Sequence, residues 1–308
     1  MRSYFSRSKE LIRFACPVAG SMFFNIFSSV IPMLFIARLG KYELAAAALA
    51  SASFVTLLTL GRGFFNALGI MMSHRKGANK EDSSAVIGAI FRTGMLVGLG
   101  VGFAILLIMW NMDQFLLFTG QSARLVKLTV GYFHYSGWAL LVIMLTQSVR
   151  QFYMGIGFPK VTFWMSACGA PVTIILSYFF IFGYGWIPKM ALSGVMLAVL
   201  ITQMLTLAVC LGMVVFSKYR HEYQLLSSQR WFDVVLCKHM FVLGLPISIQ
   251  SGAEMIAITA TTYFMGWYGA NALAAANVVN QYVILFVAFY LGCSQAVSIL
   301  SSMRKTLF

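Results

Sequence analysis

The 308 residues are 60% apolar and 10% charged, with a mean hydropathy of +0.84, values that a water-soluble domain of this length does not reach. The formal net charge of +14 would point to nucleic acid in a soluble protein, but here the basic residues fall between apolar stretches and read as topology signals, with no nucleic-acid partner implied. Five cysteines (Cys16, Cys168, Cys210, Cys237 and Cys293) lie in or beside apolar stretches without paired spacing, so neither a disulfide framework nor a metal site is indicated.

Residues 1 to 14 are too rich in Arg, Lys and Ser to cross a bilayer. The apolar run that follows, ending near Ile36, lacks a small-residue cleavage site and predicts an uncleaved first helix. With about 20 apolar residues per crossing, an all-α polytopic membrane protein with eight transmembrane helices is predicted, at roughly 14–37, 43–72, 84–110, 122–148, 160–183, 190–216, 238–267 and 272–301. An inner N-terminus puts fifteen Lys and Arg residues in inner segments against five in outer ones, so both termini are expected in the cytoplasm of a cell-membrane protein. Trp110, Trp186 and Trp267 then close the outer ends of the third, fifth and seventh helices, the level at which an amphipathic ring is favoured.

Residues 17 to 76 are echoed at a constant offset of 229 by residues 246 to 305. Pro17 falls on Pro246, Gly40 on Gly269, Leu44-Ala45-Ala46-Ala47 on Leu273-Ala274-Ala275-Ala276, and Gly63 on Gly292. Each copy reads as apolar helix, Gly turn, apolar helix and basic stop, the pattern of a parallel internal repeat in a secondary transporter. The polar stretch Ser217 to Cys237 separates the sixth helix from the second copy. Residues 1–216 therefore form a predicted six-helix lobe, 217–237 a cytoplasmic linker, and 238–308 the first two helices of a second lobe. A second lobe matching the first needs about four more helices, the expectation of a truncated duplication.

Glu254 sits near the middle of the seventh helix. An acid at that depth costs about 2.5 to 3.5 kcal/mol on insertion scales, so it persists by facing a cavity or binding a proton, cation or partner. One carboxylate contested by two positive ligands, a cation and a basic substrate, is the chemistry of a coupling site. Gln250, four residues before it, and Thr261, seven after, share its face. A protonated Glu hydrogen-bonded to a neighbouring helix is the structural alternative. At the offset of 229, Asn25 takes the place of Glu254 in the first helix, so one copy carries an amide where the other has an acid. In the eighth helix Asn277 and Gln281 share a face and, with Asn280, could hold a cation such as Na+ or orient a substrate; amides also serve as interhelical hydrogen-bond glue. Arg62 is a basic residue well inside a crossing, where snorkelling toward the inner surface is the expected escape.

Gly94, Gly98 and Gly102 give overlapping GxxxG spacings on the third helix and imply close packing without chemistry. The 27 Phe and 19 Met would suit a promiscuous cavity but mostly face lipid or other helices. His134, with Tyr132 and Tyr135, reads as a satisfied membrane His more readily than as a cavity rim. No phosphate-binding Gly-Lys-Ser/Thr loop, catalytic triad, zinc spacing or carboxylate dyad is present in the sequence, so direct ATP drive and enzyme function are not indicated, and no cofactor is expected.

Several motifs carry a family resemblance in order along the chain: Ser73 to Lys80 at the end of the second helix; Arg150, Gly155, Gly157, Pro159 and Lys160 around the fourth loop; and Tyr178 to Gly183 with Gly185, Pro188 and Gly194. Gly244-Leu245-Pro246 follows, with Glu254 eight residues after the proline. Together they resemble the multidrug and toxic compound extrusion (MATE) family. The resemblance implies twelve helices in two lobes around a central cavity, exporting amphipathic, often cationic compounds in exchange for Na+ or H+. Relatives with an acid later in the first helix differ here, since Val30-Ile31-Pro32-Met33 contains none. Coupling is then expected to rest on Glu254 and on whatever the missing helices supply. Two further readings stay open: a related flippase of lipid-linked sugars, which would need several basic cavity residues where Arg62 is the one seen, and a transport-inactive truncated relative. Homodimerisation is one way to rebuild a missing cavity wall.

Overall fold

In a hydrocarbon layer no water takes up main-chain N–H and C=O groups, so a chain this apolar satisfies them inside helices. The computed structural model describes residues 2–77, 83–183, 188–216, 222–225, 233–283 and 294, with side chains from residue 17 onward except residue 19, and these residues are helical apart from short connections. The helices are α1 (Arg2–Ala37), α2 (Lys41–Gly77), α3 (Ser83–Trp110), α4 (Met112–Phe118), α5 (Ala123–Gly155), α6 (Pro159–Phe182), α7 (Ala191–Phe216) and α8 (Val234–Trp267). A further helix, α9, begins at 270 and is described to 283. Among the described residues seven helices are long and apolar enough to cross a membrane: α1 over Gly20–Ala37, and all of α2, α3, α5, α6, α7 and α8.

These match the first seven predicted crossings. The eighth, expected at 272–301, is described only to 283, and Trp186 also lies outside the described residues. The sequence reading missed α4, whose seven residues sit between Asn111 and Thr119 and bury Met112 and Leu116. Pro17, Pro32 and Pro246 lie inside continuous helices, so none of them ends its helix.

The repeat is visible in the backbone. Adding 229 to Lys41, the first residue of α2, gives 270, the first residue of α9. The turns before them use Gly40 at φ +142° and Gly269 at φ +104°, angles that L side chains seldom adopt. Leu44 N donates to Gly40 O at 3.1 Å and Leu273 N to Gly269 O at 3.2 Å, the same bond in each copy.

Three glycine-lined contacts build the centre. Gly94 and Gly98 of α3 lie against Leu68 and Phe65 of α2, Gly102 lies against Leu141 of α5, and Gly61, Gly69 and Gly155 bring α2 and α5 together over Met144, Gln151 and Met72. Small residues let backbones approach, which is the main source of helix association where lipid removes the hydrophobic drive. Around this core α5 packs on α7, α7 on α6 and α6 on α1. Among the described residues the most extensive pairing is between α2 and α8, the helices that the sequence assigns to different lobes.

Candidate functional site

The two helices α2 and α8 run antiparallel along a seam of small and hydroxyl residues. Gly252 receives Leu60, Gly63 lies against the Ser248 main chain, and Gly244 lies against Phe64. Toward the Lys41 end of α2, Thr56 Oγ1 and Thr259 Oγ1 are 2.5 Å apart, and Ser53 Oγ and Tyr263 OH 2.7 Å apart. The segment after α4 closes that end. Gln121 Nε2 donates to Tyr263 O at 3.0 Å, and Trp267 Nε1 donates to Thr119 O at 3.0 Å. These polar contacts fix the register of α8 against α2, because a shift along either helix leaves hydroxyls unpaired in an apolar layer.

That register decides where Glu254 points. The face of α8 on α2 contains Gly244, Ser248, Gly252, Thr259 and Tyr263; at 100° per residue Glu254 lies on the opposite side, with Gln250 and Thr261. All three are exposed. Thr261 Oγ1 donates to Ala257 O at 3.0 Å within its own helix. Glu254 has no hydrogen-bond or ionic partner among the described residues, where the structural alternative would have given it one.

The remaining predicted residues divide. Asn277 is buried at 7% exposure; its Oδ1 accepts from Gln281 Nε2 at 3.4 Å while its Nδ2 has no partner among the described residues. Asn280 and Gln281 are partly buried beside it on α9. Asn25 belongs elsewhere: its Nδ2 donates to Ser21 O at 2.7 Å and to Ser166 Oγ at 3.1 Å, tying α1 to α6. The amide at the repeat-equivalent position of Glu254 is therefore engaged in helix pairing. His134 is exposed beside the Trp110 ring, 6.1 Å between centroids.

Arg62 departs from the snorkelling expectation. Its Nε is sealed from solvent and has no hydrogen-bond partner among the described residues. Arg150, counted from sequence as a topology residue of an inner loop, lies within α5 and within electrostatic reach of Arg62. Between their helices Gln151 Nε2 donates to Asn66 Oδ1 at 3.0 Å. The sequence signal that could have flagged this cluster is the four-residue spacing of Arg62 and Asn66 on one face.

A stack of long apolar helices joined by small-residue seams, with an acid in the middle of one span that is unpaired among the described residues, defines a polytopic helical membrane protein. Residues 17–179 match the MatE family, more than half of the chain, and the chain belongs to that family. It is 27% identical over 280 residues to a probable multidrug resistance protein NorM of Rhizobium meliloti, covering 91% of this chain and 59% of that one. Against a protein of the same description in Pseudomonas aeruginosa it is 27% identical over 289 residues, covering 94% and 58%. The chain thus spans about three fifths of the length of these relatives. Its fold is that of a multidrug resistance MATE family transporter of the MOP superfamily solved in an outward-facing conformation, with a TM-score of 0.82, 19% identity, and coverage of 97% of this chain and 65% of the other. These named proteins are transporters and resistance proteins, not enzymes.

Proposed function

We propose that this chain is part or all of a secondary exporter of amphipathic, often cationic small molecules, working by alternating access in exchange for Na+ or H+. The observation that carries the reading is Glu254, an acid in the middle of a membrane-crossing helix, unpaired among the described residues and turned away from the α2 seam. The relatives' description as multidrug resistance proteins supports the substrate class. In this mechanism a cation and a basic substrate compete for one carboxylate, so the two are carried in opposite directions, each favouring a different arrangement of the lobes. Gln250 and Thr261 supply neutral oxygen ligands on the same face, and Asn277, Asn280 and Gln281 supply amides on the next helix. The lobes are residues 1–216 and 238–308, joined by a linker over 217–237, with both termini in the cytoplasm of the cell membrane.

The test is efflux of a fluorescent lipophilic cation from cells lacking their own multidrug exporters, expressing either this chain or Glu254→Gln at matched membrane levels. The expected result is export by the unaltered chain and its loss in the variant. Export at equal rates by both would overturn the role of Glu254.

A further inference from the structure

Arg62 and Arg150 are basic residues within crossing helices that the exporter reading does not use. The first lies fifteen residues before Gly77 on α2, the second five before Gly155 on α5. Helix α2 meets α5 through Gly61 and Gly69, and meets α8 through Leu60 and Gly63. At 100° per residue, Arg62 and Asn66 fall on the strip of α2 between those two neighbours. Helix α5 meets α2 through Met144 and Gln151, and its Ala139 and Val142 pack with Leu200 of α7. Arg150 falls on the strip between these faces, and Cys210 of α7 is within its electrostatic reach. The Gln151–Asn66 hydrogen bond of 3.0 Å holds the two strips side by side. Both residues therefore sit on one wall, the side of α2 and α5 between their contacts with α8 and α7.

Among the described residues neither arginine pairs with an acid, and the buried Arg62 Nε has no partner. A lone snorkelling arginine ends in water; here a donor ends inside the protein beside a second positive charge. Like charges at such a position repel, and their burial is unfavourable unless a counter-charge joins them. Each guanidinium presents a planar fork of donors matched to an oxyanion, and two of them together match the charge of a phosphate monoester better than that of a single carboxylate.

We propose that Arg62 and Arg150 form a phosphate-binding subsite on the wall of the first lobe, holding the phosphoryl group of an amphipathic or soluble molecule. Asn66 and Gln151 position the two helices that carry it. The subsite gives the wall a polarity opposite to that of the Glu254 face, so a molecule with both a cationic and a phosphoryl group would span the two. It rests on the exporter reading only in calling its occupant a substrate; binding is measured without transport.

The experiment uses the chain in phosphatidylcholine nanodiscs. Inorganic phosphate is titrated against the thermal unfolding midpoint in one arm; in the other, phosphatidic acid is added and retained lipid is counted by native mass spectrometry. Saturable binding of at least one probe is expected, weakened tenfold or more in Arg62→Gln and in Arg150→Gln, and unchanged in Lys238→Gln, an exposed control near the start of α8. Phosphate binding alone identifies a soluble ligand, and phosphatidic acid binding alone a lipid. Should a Gln variant fail to fold, phenylglyoxal modification of the unaltered chain decides, since the bound probe should protect both Arg62 and Arg150 in the peptide map. Absence of binding by either probe, equal binding by folded Gln variants, or no protection would overturn the proposal. Because none of these readouts involves export, a transport failure at Glu254 leaves the result intact, and the reverse also holds.

Discussion

Replacing Gly63 with Ala tests whether α2 and α8 are held together by close backbone approach. A methyl carbon on Gly63 would stand 2.7 Å from the Ser248 main-chain nitrogen and closer still to Ser248 Cα and Oγ. Atoms of this kind sit at about 3.5 Å or more in ordinary contact, and a helix backbone cannot rotate aside, so the helices must part locally by at least about 0.8 Å. Overpacking of this type costs about 1–3 kcal/mol. The displacement also strains the Thr56–Thr259 and Ser53–Tyr263 pairs two and three turns away, at 2.5 and 2.7 Å, each worth about 0.6 kcal/mol in a membrane. A loss of about 2–4 kcal/mol follows in total. Gly100→Ala is the matched control, because a methyl carbon there meets nothing within 4 Å, and it should be neutral or stabilising by up to about 1 kcal/mol through helix propensity. Unfolding of the purified chain in mixed micelles by SDS titration, followed by circular dichroism, reads both variants. Equal stability of Gly63→Ala and Gly100→Ala would refute the seam.

Further outcomes concern other contacts. A double-mutant cycle of Ser53→Ala with Tyr263→Phe should give a coupling of about 0.6 kcal/mol, and a coupling of zero would mean the two hydroxyls do not pair. Gly40→Ala and Gly269→Ala should each destabilise by about 1 kcal/mol, because both sites hold φ values of +142° and +104°; the same SDS titration measures this, and unchanged stability would count against the repeated turn. Arg92 donates to Gln224 O at 2.5 Å while Tyr223 and Leu225 are buried against the helices. Arg92→Gln should therefore raise hydrogen exchange across 222–225 several-fold by removing a charge-assisted bond, an effect absent from Arg75→Gln, whose side chain is exposed.

The order and approximate limits of the first seven crossings were legible in the sequence because apolar length alone specifies a membrane helix. The offset of 229 likewise located the turn at Gly269, where two copies of one sequence make the same hydrogen bond. Helix α4 was not legible: seven residues between two crossings carry too little periodicity to stand out. The partnership of α2 with α8 was also hidden, since Ser53, Thr56, Gly63, Ser248, Gly252 and Thr259 are scattered small residues whose meaning appears only when both helices are side by side. Glu254 stood out from its cost in lipid. Arg150 did not, because its place near a helix end resembles an ordinary topology charge until α2 brings Arg62 beside it. Asn25 shows the opposite case, where a position equivalent by repeat serves to join α1 to α6.

The most direct test of the exporter account is uptake of a lipophilic cation into proteoliposomes containing this chain, driven in turn by an imposed Na+ gradient and an imposed pH gradient. The account predicts accumulation against the substrate gradient with at least one of the two ions, abolished by Glu254→Gln while the variant stays folded. Accumulation that persists in Glu254→Gln, or none with either ion in the unaltered chain, would contradict it.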